Sequence, residues 1–282
     1  MKVHIIGIGL IGGSFAAGIR KAFQWVEITA SDANSENLAN AKRLGLIDSA
    51  ETQKSISKAD VVIIAVPVDV APKILVEVLD QVSENTLVFD TGSTKAGICK
   101  AVATHPNRRN YLAAHPIAGT EFSGPEAAVS DLFSNKTNIL CEVEKTAFRL
   151  QERALEIFQK LAMRIRYMDP AAHDRHIAYV SHLSHISSFM LGKTVLEKEK
   201  DERDIFDLAG SGFASTVRLA KSSPHMWTPI FRQNKENVLE ILNGYIENLL
   251  NFRDLLQNDD FDAVFKEMER INYIKTILNG IR

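Results

Sequence analysis

Along the front half of the chain, short apolar runs alternate with longer stretches in which apolar and polar residues mix. "KVHIIGIG" (2–9) reads as a β-strand ending in glycines, and "LIGGSFAAGIRKAF" (10–23) as the helix after it. "VEITASD" (26–32) is a second strand, ending at Asp32, and "SENLANAKRLG" (35–45) is a helix closed by Gly45. "ADVVIIAVP" (59–67) is continuously apolar from Val61 to Val66, the pattern of a central parallel strand covered on both faces. "TLVFDTGS" (86–93) and "NYLAAHP" (110–116) repeat the theme. Strands alternating with helices predict an α/β fold with a parallel sheet.

Beyond "RIRYMDP" (164–170) the pattern becomes helical. Asp169 predicts a cap and Pro170 the first helical position. Ile177, Val180, Leu183, Ile186 and Met190 follow at helical spacing, beside a row of small residues, Ser181, Ser184, Ser188 and Gly192, that admits a close neighbour. A glycine-rich turn leads into a short helix, and Ser223 and Pro224 start the next. In the last long helix Val238, Leu242, Tyr245, Leu249, Phe252 and Leu256 advance in steps of 4 and 3, a seam that wants a helical partner. Leu239, Ile246 and Leu250 widen it. A homodimer through these helices accounts for that surface, and packing within one chain is the competing account.

Gly7, Gly9 and Gly12 have the spacing G-x-G-x-x-G between a strand and a helix, and Asp32 stands twenty residues past Gly12 at the end of the second strand. Gly7 permits the tight turn, Gly9 lets the backbone approach a pyrophosphate, and Gly12 lets helix and strand pack closely. The helix N-terminus offers free N–H groups to phosphate. A carboxylate at Asp32 accepts from ribose hydroxyls and repels a 2′-phosphate, which favours NAD over NADP. Pro67 marks the carboxyl end of the third strand, where ligands sit in open α/β sheets. The expected layout is therefore a Rossmann-type, NAD-binding parallel-sheet domain at 1–167 and an all-α substrate-binding and dimerisation domain at 168–282.

The 282 residues carry a formal net charge of −2, which gives no sign of a surface for nucleic acid, and none is expected as a partner. No apolar run reaches transmembrane length, and the N-terminus enters a strand with no signal peptide before it. Cys99 and Cys141 show no metal or redox spacing, so a reducing cytoplasm is expected.

His115 ends a strand on the edge of the glycine loop, and Pro116 prevents helix there. An imidazole so placed can take a proton from an alcohol while hydride leaves its carbon. Ser93 is read as the cap of the next helix, with a second role as a substrate hydrogen-bond donor. His182 and His185 share one side of a helix. No carboxylate or cysteine set accompanies them as metal ligands. Arg218 can grip a carboxylate with two hydrogen bonds. Trp227 is either core or pocket wall.

"HPIAGTEFSG" (115–124), "SHLSH" (181–185), "STVRLAKSSPHMW" (215–227) and the glycine loop, in this order, resemble the prephenate dehydrogenases, NAD-dependent enzymes of tyrosine biosynthesis. The resemblance runs through nearly the whole chain. It implies oxidative decarboxylation of prephenate to 4-hydroxyphenylpyruvate. His115 would accept the hydroxyl proton, Ser93 would orient the hydroxyl, and Arg218 would hold a substrate carboxylate. His185 matches a pocket-lining position, and His182 is read as a packed histidine. Glu121 matches an acid near the pocket mouth, or is a solvated loop carboxylate. No metal is required, because aromatisation drives the loss of CO2. Family members are often fused to a mutase or regulatory domain, and a stand-alone dehydrogenase is expected here. Three rivals stand beside this reading. One is arogenate dehydrogenase. The second is another two-domain hydroxyacid dehydrogenase, with Lys193 as a candidate base. The third is a nucleotide-sensing regulator without turnover.

Overall fold

The computed structural model describes residues 1–50, 53–120, 122–200 and 204–280. Among the described residues eight strands form one sheet: β1 (Lys2–Ile6), β2 (Glu27–Ser31), β3 (Ser49–Ala50), β4 (Val61–Ile64), β5 (Leu87–Asp90), β6 (Tyr111–Pro116), β7 (Thr137–Cys141) and β8 (Arg164–Tyr167). Their order is β3-β2-β1-β4-β5-β6-β7-β8. All neighbours run parallel except β6 and β7, which are antiparallel, with His115 opposite Ile139. The parallel sheet expected from the sequence is thus mostly parallel.

Helices α1 (Leu10–Ala22), α2 (Ser35–Arg43), α3 (Ala71–Leu79), α4 (Ala96–Ala101) and α5 (Phe148–Lys160) accompany the strands. Two apolar layers result, one around Ile5, Phe15, Ile63 and Phe89, the other around Val62, Ile64, Leu75 and Val88. Val61 to Ile64 alternate between them and are all buried, which is why that run is apolar without interruption. Edge-to-face contacts of Phe89 with Phe15 and Phe158 pin the first layer. Loops after β1, β4, β5 and β6 gather at the carboxyl edge of the sheet, at the reversal of strand order where such folds take ligands.

After β8, Asp169 caps α6 (Pro170–Ile177) by accepting the N–H groups of Ala171 and Ala172, with Pro170 in the first turn. The spacing predicts one continuous helix here. The chain instead makes a single π-helical turn, Ala178–His182, before α7 (Leu183–Glu199). The extra residue rotates the helix face. His173, Asp174, Ile177, Ala178, His182 and Ser188 are buried, whereas Val180 is 74% exposed and Met190 50%. The inward face is polar because it carries the groups described below.

Next come α8 (Ser211–Thr216), a 3-10 turn at Arg218–Lys221, α9 (Pro224–Gln233), α10 (Lys235–Gln257), α11 (Phe261–Ile271) and α12 (Ile274–Gly280). Met1–Lys235 form one compact unit and Glu236–Arg282 a second. In the second unit Ile246, Leu249, Leu250, Phe265, Met268 and Ile277 are all at least 42% exposed.

Candidate active site

The glycine loop has the backbone its spacing predicts. Gly7 has φ +89°, and a Cβ there would lie 2.4 Å from the Ala65 carbonyl oxygen. At Gly12 a Cβ would lie 2.0 Å from the Gly7 carbonyl oxygen. Neither position admits a side chain. Gly9 caps α1 with no side chain bonded to the helix end, and a Cβ there would meet nothing within 4 Å. The loop is therefore tight beneath and open above, a cradle that fits a pyrophosphate. Asp32 is tied to this loop. One carboxylate oxygen accepts the Ile8 N–H at 2.8 Å; the other accepts the Asn34 N–H at 2.8 Å and the Asn37 amide at 3.3 Å. These donors fix the orientation of the carboxylate beside the loop and leave lone-pair capacity for hydroxyls. Pro67 is exposed at the carboxyl edge of β4, and its carbonyl accepts from Val70 and Ala71 to start α3.

His115, 9% exposed, ends a hydrogen-bond chain that crosses from the sheet to α6. Its Nδ1 lies 2.8 Å from Nε2 of His173, whose own Nδ1 lies 2.8 Å from the Asp174 carboxylate. That carboxylate also accepts the Lys95 N–H at 2.6 Å and the Ala96 N–H at 2.9 Å. With two backbone donors on it, Asp174 is an acceptor. His173 therefore donates from Nδ1 and accepts at Nε2, so His115 donates from Nδ1. The neutral ring of His115 is left with its lone pair on Nε2. Burial, and then the neighbouring His173, Lys95 and His182, hold His115 well below the ordinary histidine range.

Beneath this chain lies a second buried cluster. The Lys95 ammonium bonds the Asp90 carboxylate and the Ala114 carbonyl, the latter at 2.7 Å. Asp90 also accepts from the Tyr111 hydroxyl at 2.7 Å and from the N–H groups of Gly92 and Ala114. The residue before His115 is thus held at both its N–H and its carbonyl.

Ser93 does not cap the following helix, contrary to expectation. It sits half-buried in the bend after β5, and α4 begins only at Ala96. The donors at that helix start go to Asp174, a stronger acceptor than a hydroxyl because it is charged. Ser93 still follows the strand beside that of His115.

His185 stacks on Trp227, with ring centroids 3.5 Å apart, and its Nδ1 bonds the Ser181 carbonyl at 2.9 Å. Burial lowers its basicity and the charge of Arg218 lowers it further, against the pull of the Ser181 carbonyl. Arg218 itself is exposed and opens the 3-10 turn. Ser188 of α7 holds that segment. Its hydroxyl donates to the Thr216 carbonyl and accepts the Ala220 N–H. Of the row of small residues, Ser188 and Gly192 face this neighbour, with a Cβ on Gly192 lying 3.9 Å from that of Ala220.

Trp227, 6% exposed, packs on Val68 and Ile230 and edge-to-face on His182. It is therefore part of a small core joining the β4 edge to α9. Burial pushes His182 down to about 4, against the pull of Asp174. Its Nδ1 faces the Asn234 amide at 3.2 Å. Glu121 lies outside the described residues. Sequence reasoning missed His173, Asp174, Lys95 and Asn234. The one available signal was the pair His173–Asp174 a turn after the Asp169 cap, and it does not name its partners.

Two family models cover nearly the whole chain. Residues 15–167 match the nucleotide-binding domain of prephenate dehydrogenase, and residues 169–270 match its dimerization domain. A prephenate dehydrogenase of Lactococcus lactis is 31% identical over 99% of this chain and 78% of its own. A cyclohexadienyl dehydrogenase of Zymomonas mobilis is 28% identical over 95% of this chain and 94% of its own. The crystal structure of A. aeolicus prephenate dehydrogenase, in complex with hydroxyphenyl propionate and NAD+, superposes with a TM-score of 0.90. Its identity is 30%, over 99% of this chain and 98% of that one.

Proposed function

Because the chain belongs to the prephenate dehydrogenase family, and so is an NAD-dependent oxidoreductase that oxidatively decarboxylates prephenate, we propose that His115 is its base and that the His173–Asp174 pair sets the base's free nitrogen. The carrying observation is the chain of two 2.8 Å contacts that leaves the lone pair of His115 on Nε2. Bound at the glycine loop and Asp32, NAD supplies the hydride acceptor. Gly7, Gly9, Gly12 and Asp32 hold its phosphates and ribose, and Pro67 shapes the edge beside it.

As hydride leaves the hydroxyl-bearing ring carbon, that hydroxyl becomes strongly acidic. His115 Nε2 takes its proton at that moment. A ring whose basicity is depressed suffices for so acidic a donor, and it arrives unprotonated at neutral pH. Loss of the ring carboxylate as CO2 then sends its bonding pair into the ring, which becomes a phenolate. His115 returns the same proton to the phenolate oxygen. The base is regenerated without net proton release, and no further electron sink is called for.

Ser93 orients the hydroxyl. Arg218 receives a substrate carboxylate, and a hydrogen bond to such a charged group contributes about 1.5–3 kcal/mol; His185, stacked on Trp227, lines the same pocket. For Glu121, outside the described residues, the motif resemblance is the sole support for a role as a pocket acid. The functional division falls between 1–167, which binds NAD, and 168–282, which supplies the relay and the pocket wall. The exposed apolar residues of α10 to α12 and the dimerization-domain match support a homodimer. Among the described residues no helix is long and apolar enough to cross a membrane, and both cysteines are free and buried. A cytoplasmic location accommodates both.

Arogenate is the second reading for the substrate, favoured by the full-length similarity to a cyclohexadienyl dehydrogenase. Assays of prephenate and arogenate with NAD and with NADP, following absorbance at 340 nm, separate the cases. Prephenate with NAD is expected to give the highest kcat/KM. NADH formation from neither acid would end the reading.

A further inference from the structure

Two consecutive side chains at the end of α9, Gln233 and Asn234, point into different parts of the structure. The Gln233 amide oxygen accepts the Thr94 hydroxyl at 2.6 Å, and its NH2 donates to the Val68 carbonyl. It thereby grips both loops at the carboxyl edge of the sheet, after β4 and after β5. The Asn234 NH2 donates to the Asp174 carbonyl at 2.6 Å and lies 3.2 Å from Nδ1 of His182. It thereby grips α6 and the π turn. Asn234 is 3% exposed. The grip on the sheet side lands one residue from Lys95, whose N–H is bonded to Asp174. The grip on the helix side lands on Asp174 itself.

The base needs both sides at once. His115 is fixed to the sheet and His173 to α6, and their 2.8 Å contact spans the two. A misplacement of about 1 Å at such a contact can cost about 10²-fold in rate. We infer that Gln233 and Asn234 are positioning residues of the dehydrogenase reaction, a two-residue clamp that fixes α6 against the loops after β4 and β5 and so holds His173 on His115. The clamp also reaches the small core at Trp227 of the same helix, on which Val68 packs and His185 stacks. This rests on the reading of His115 as the base, and the test below separates the two.

The test uses the full-length protein with Gln233→Met, Asn234→Leu and the double variant, which keep similar volume and remove the polar grips. The isosteric Gln233→Glu and Asn234→Asp serve if either apolar variant does not fold. Turnover with prephenate and NAD is read against the dissociation constant for NAD and the thermal midpoint. Each folded single variant is expected to lose about 10- to 100-fold in kcat with NAD affinity nearly unchanged. The double variant should lose less than the product of the two, because both cut one clamp. Separately, 15N NMR of the histidine rings reads the relay without turnover. The wild type is expected to carry its proton on Nδ1 of His115, and the variants a mixture of tautomers. Folded variants with wild-type kcat, or a kcat that falls only with the folded fraction, would overturn the clamp. So would an unchanged tautomer in the variants. A wild type inactive with either acid, but with the tautomers shifting as stated, would instead remove the reading of the reaction and leave the clamp standing.

Discussion

Asp174→Asn is the sharpest perturbation of the relay. The substitution keeps size and shape but replaces one acceptor oxygen by an NH2 donor. Three N–H groups converge on this carboxylate: His173 Nδ1 and the Lys95 N–H on one oxygen, the Ala96 N–H on the other. In either orientation the new NH2 meets at least one of them donor to donor. With the NH2 turned toward Ala96, one backbone donor loses its acceptor, which costs about 1–3 kcal/mol of stability. With the NH2 turned toward His173, that ring must accept at Nδ1 and carry its proton on Nε2. His115 then accepts at Nδ1 and holds its own proton on Nε2, where the substrate hydroxyl needs a lone pair. The general-base contribution, about 10²–10⁴ in rate, is lost. The assay is NADH formation from prephenate under saturation, together with NAD binding followed by fluorescence. With the NH2 toward His173 a fall in kcat within that range is expected; with it toward Ala96 kcat holds and the thermal midpoint falls; in both, NAD affinity is nearly unchanged because Asp174 touches none of the glycine-loop groups. A folded Asp174→Asn protein in which 15N NMR finds the His115 proton moved to Nε2, yet kcat stays within a few-fold of wild type, would refute the tautomer argument.

Arg218→Ala is expected to raise KM for prephenate by about 10- to 100-fold, the loss of a charged hydrogen bond, with a smaller change in kcat; an unchanged KM removes it from the pocket. Asp32→Ala should weaken NAD and narrow the preference over NADP, but it also frees the Ile8 and Asn34 N–H groups, so a loss of thermal stability should accompany it. Acid should unfold the protein early. His115 and His182 are held neutral in the native state, His182 with a value of about 4, while the unfolded rings titrate near 6.5. Their contribution is intact above that value and is lost as pH falls below it, with His182 alone amounting to about 3 kcal/mol by pH 4. Urea unfolding at pH 7 and pH 4 measures it, and equal midpoints would contradict the burial of these rings.

What was legible in the sequence was local. The glycine spacing, the run from Val61 and the cap at Asp169 each depend on neighbours a few residues away, and each appears where it was read. His115 was legible because a strand end followed by proline leaves few backbone options. What was illegible was long-range. Asp174 is 79 residues from the Lys95 N–H that it accepts, and His173 is 58 from His115. No spacing rule connects them. Ser93 looked like a cap because the acceptor that takes its place comes from another helix. The π turn is hidden because a period of 3.6 residues per turn cannot register an inserted residue, and so the stripe through Val180 and Met190 falls out of phase with the buried face. The reversed direction of β7 is likewise a property of its pairing with β6, not of "TNILC".

The account turns on where the hydroxyl of a bound cyclohexadienyl or hydroxyphenyl acid lies. A crystal structure with NAD and hydroxyphenyl propionate measures this directly. The account predicts the ring oxygen within about 2.6–3.2 Å of His115 Nε2, and the acid's carboxylate on the Arg218 guanidinium. A ring oxygen bonded elsewhere, with Nε2 turned from the nicotinamide, would contradict it.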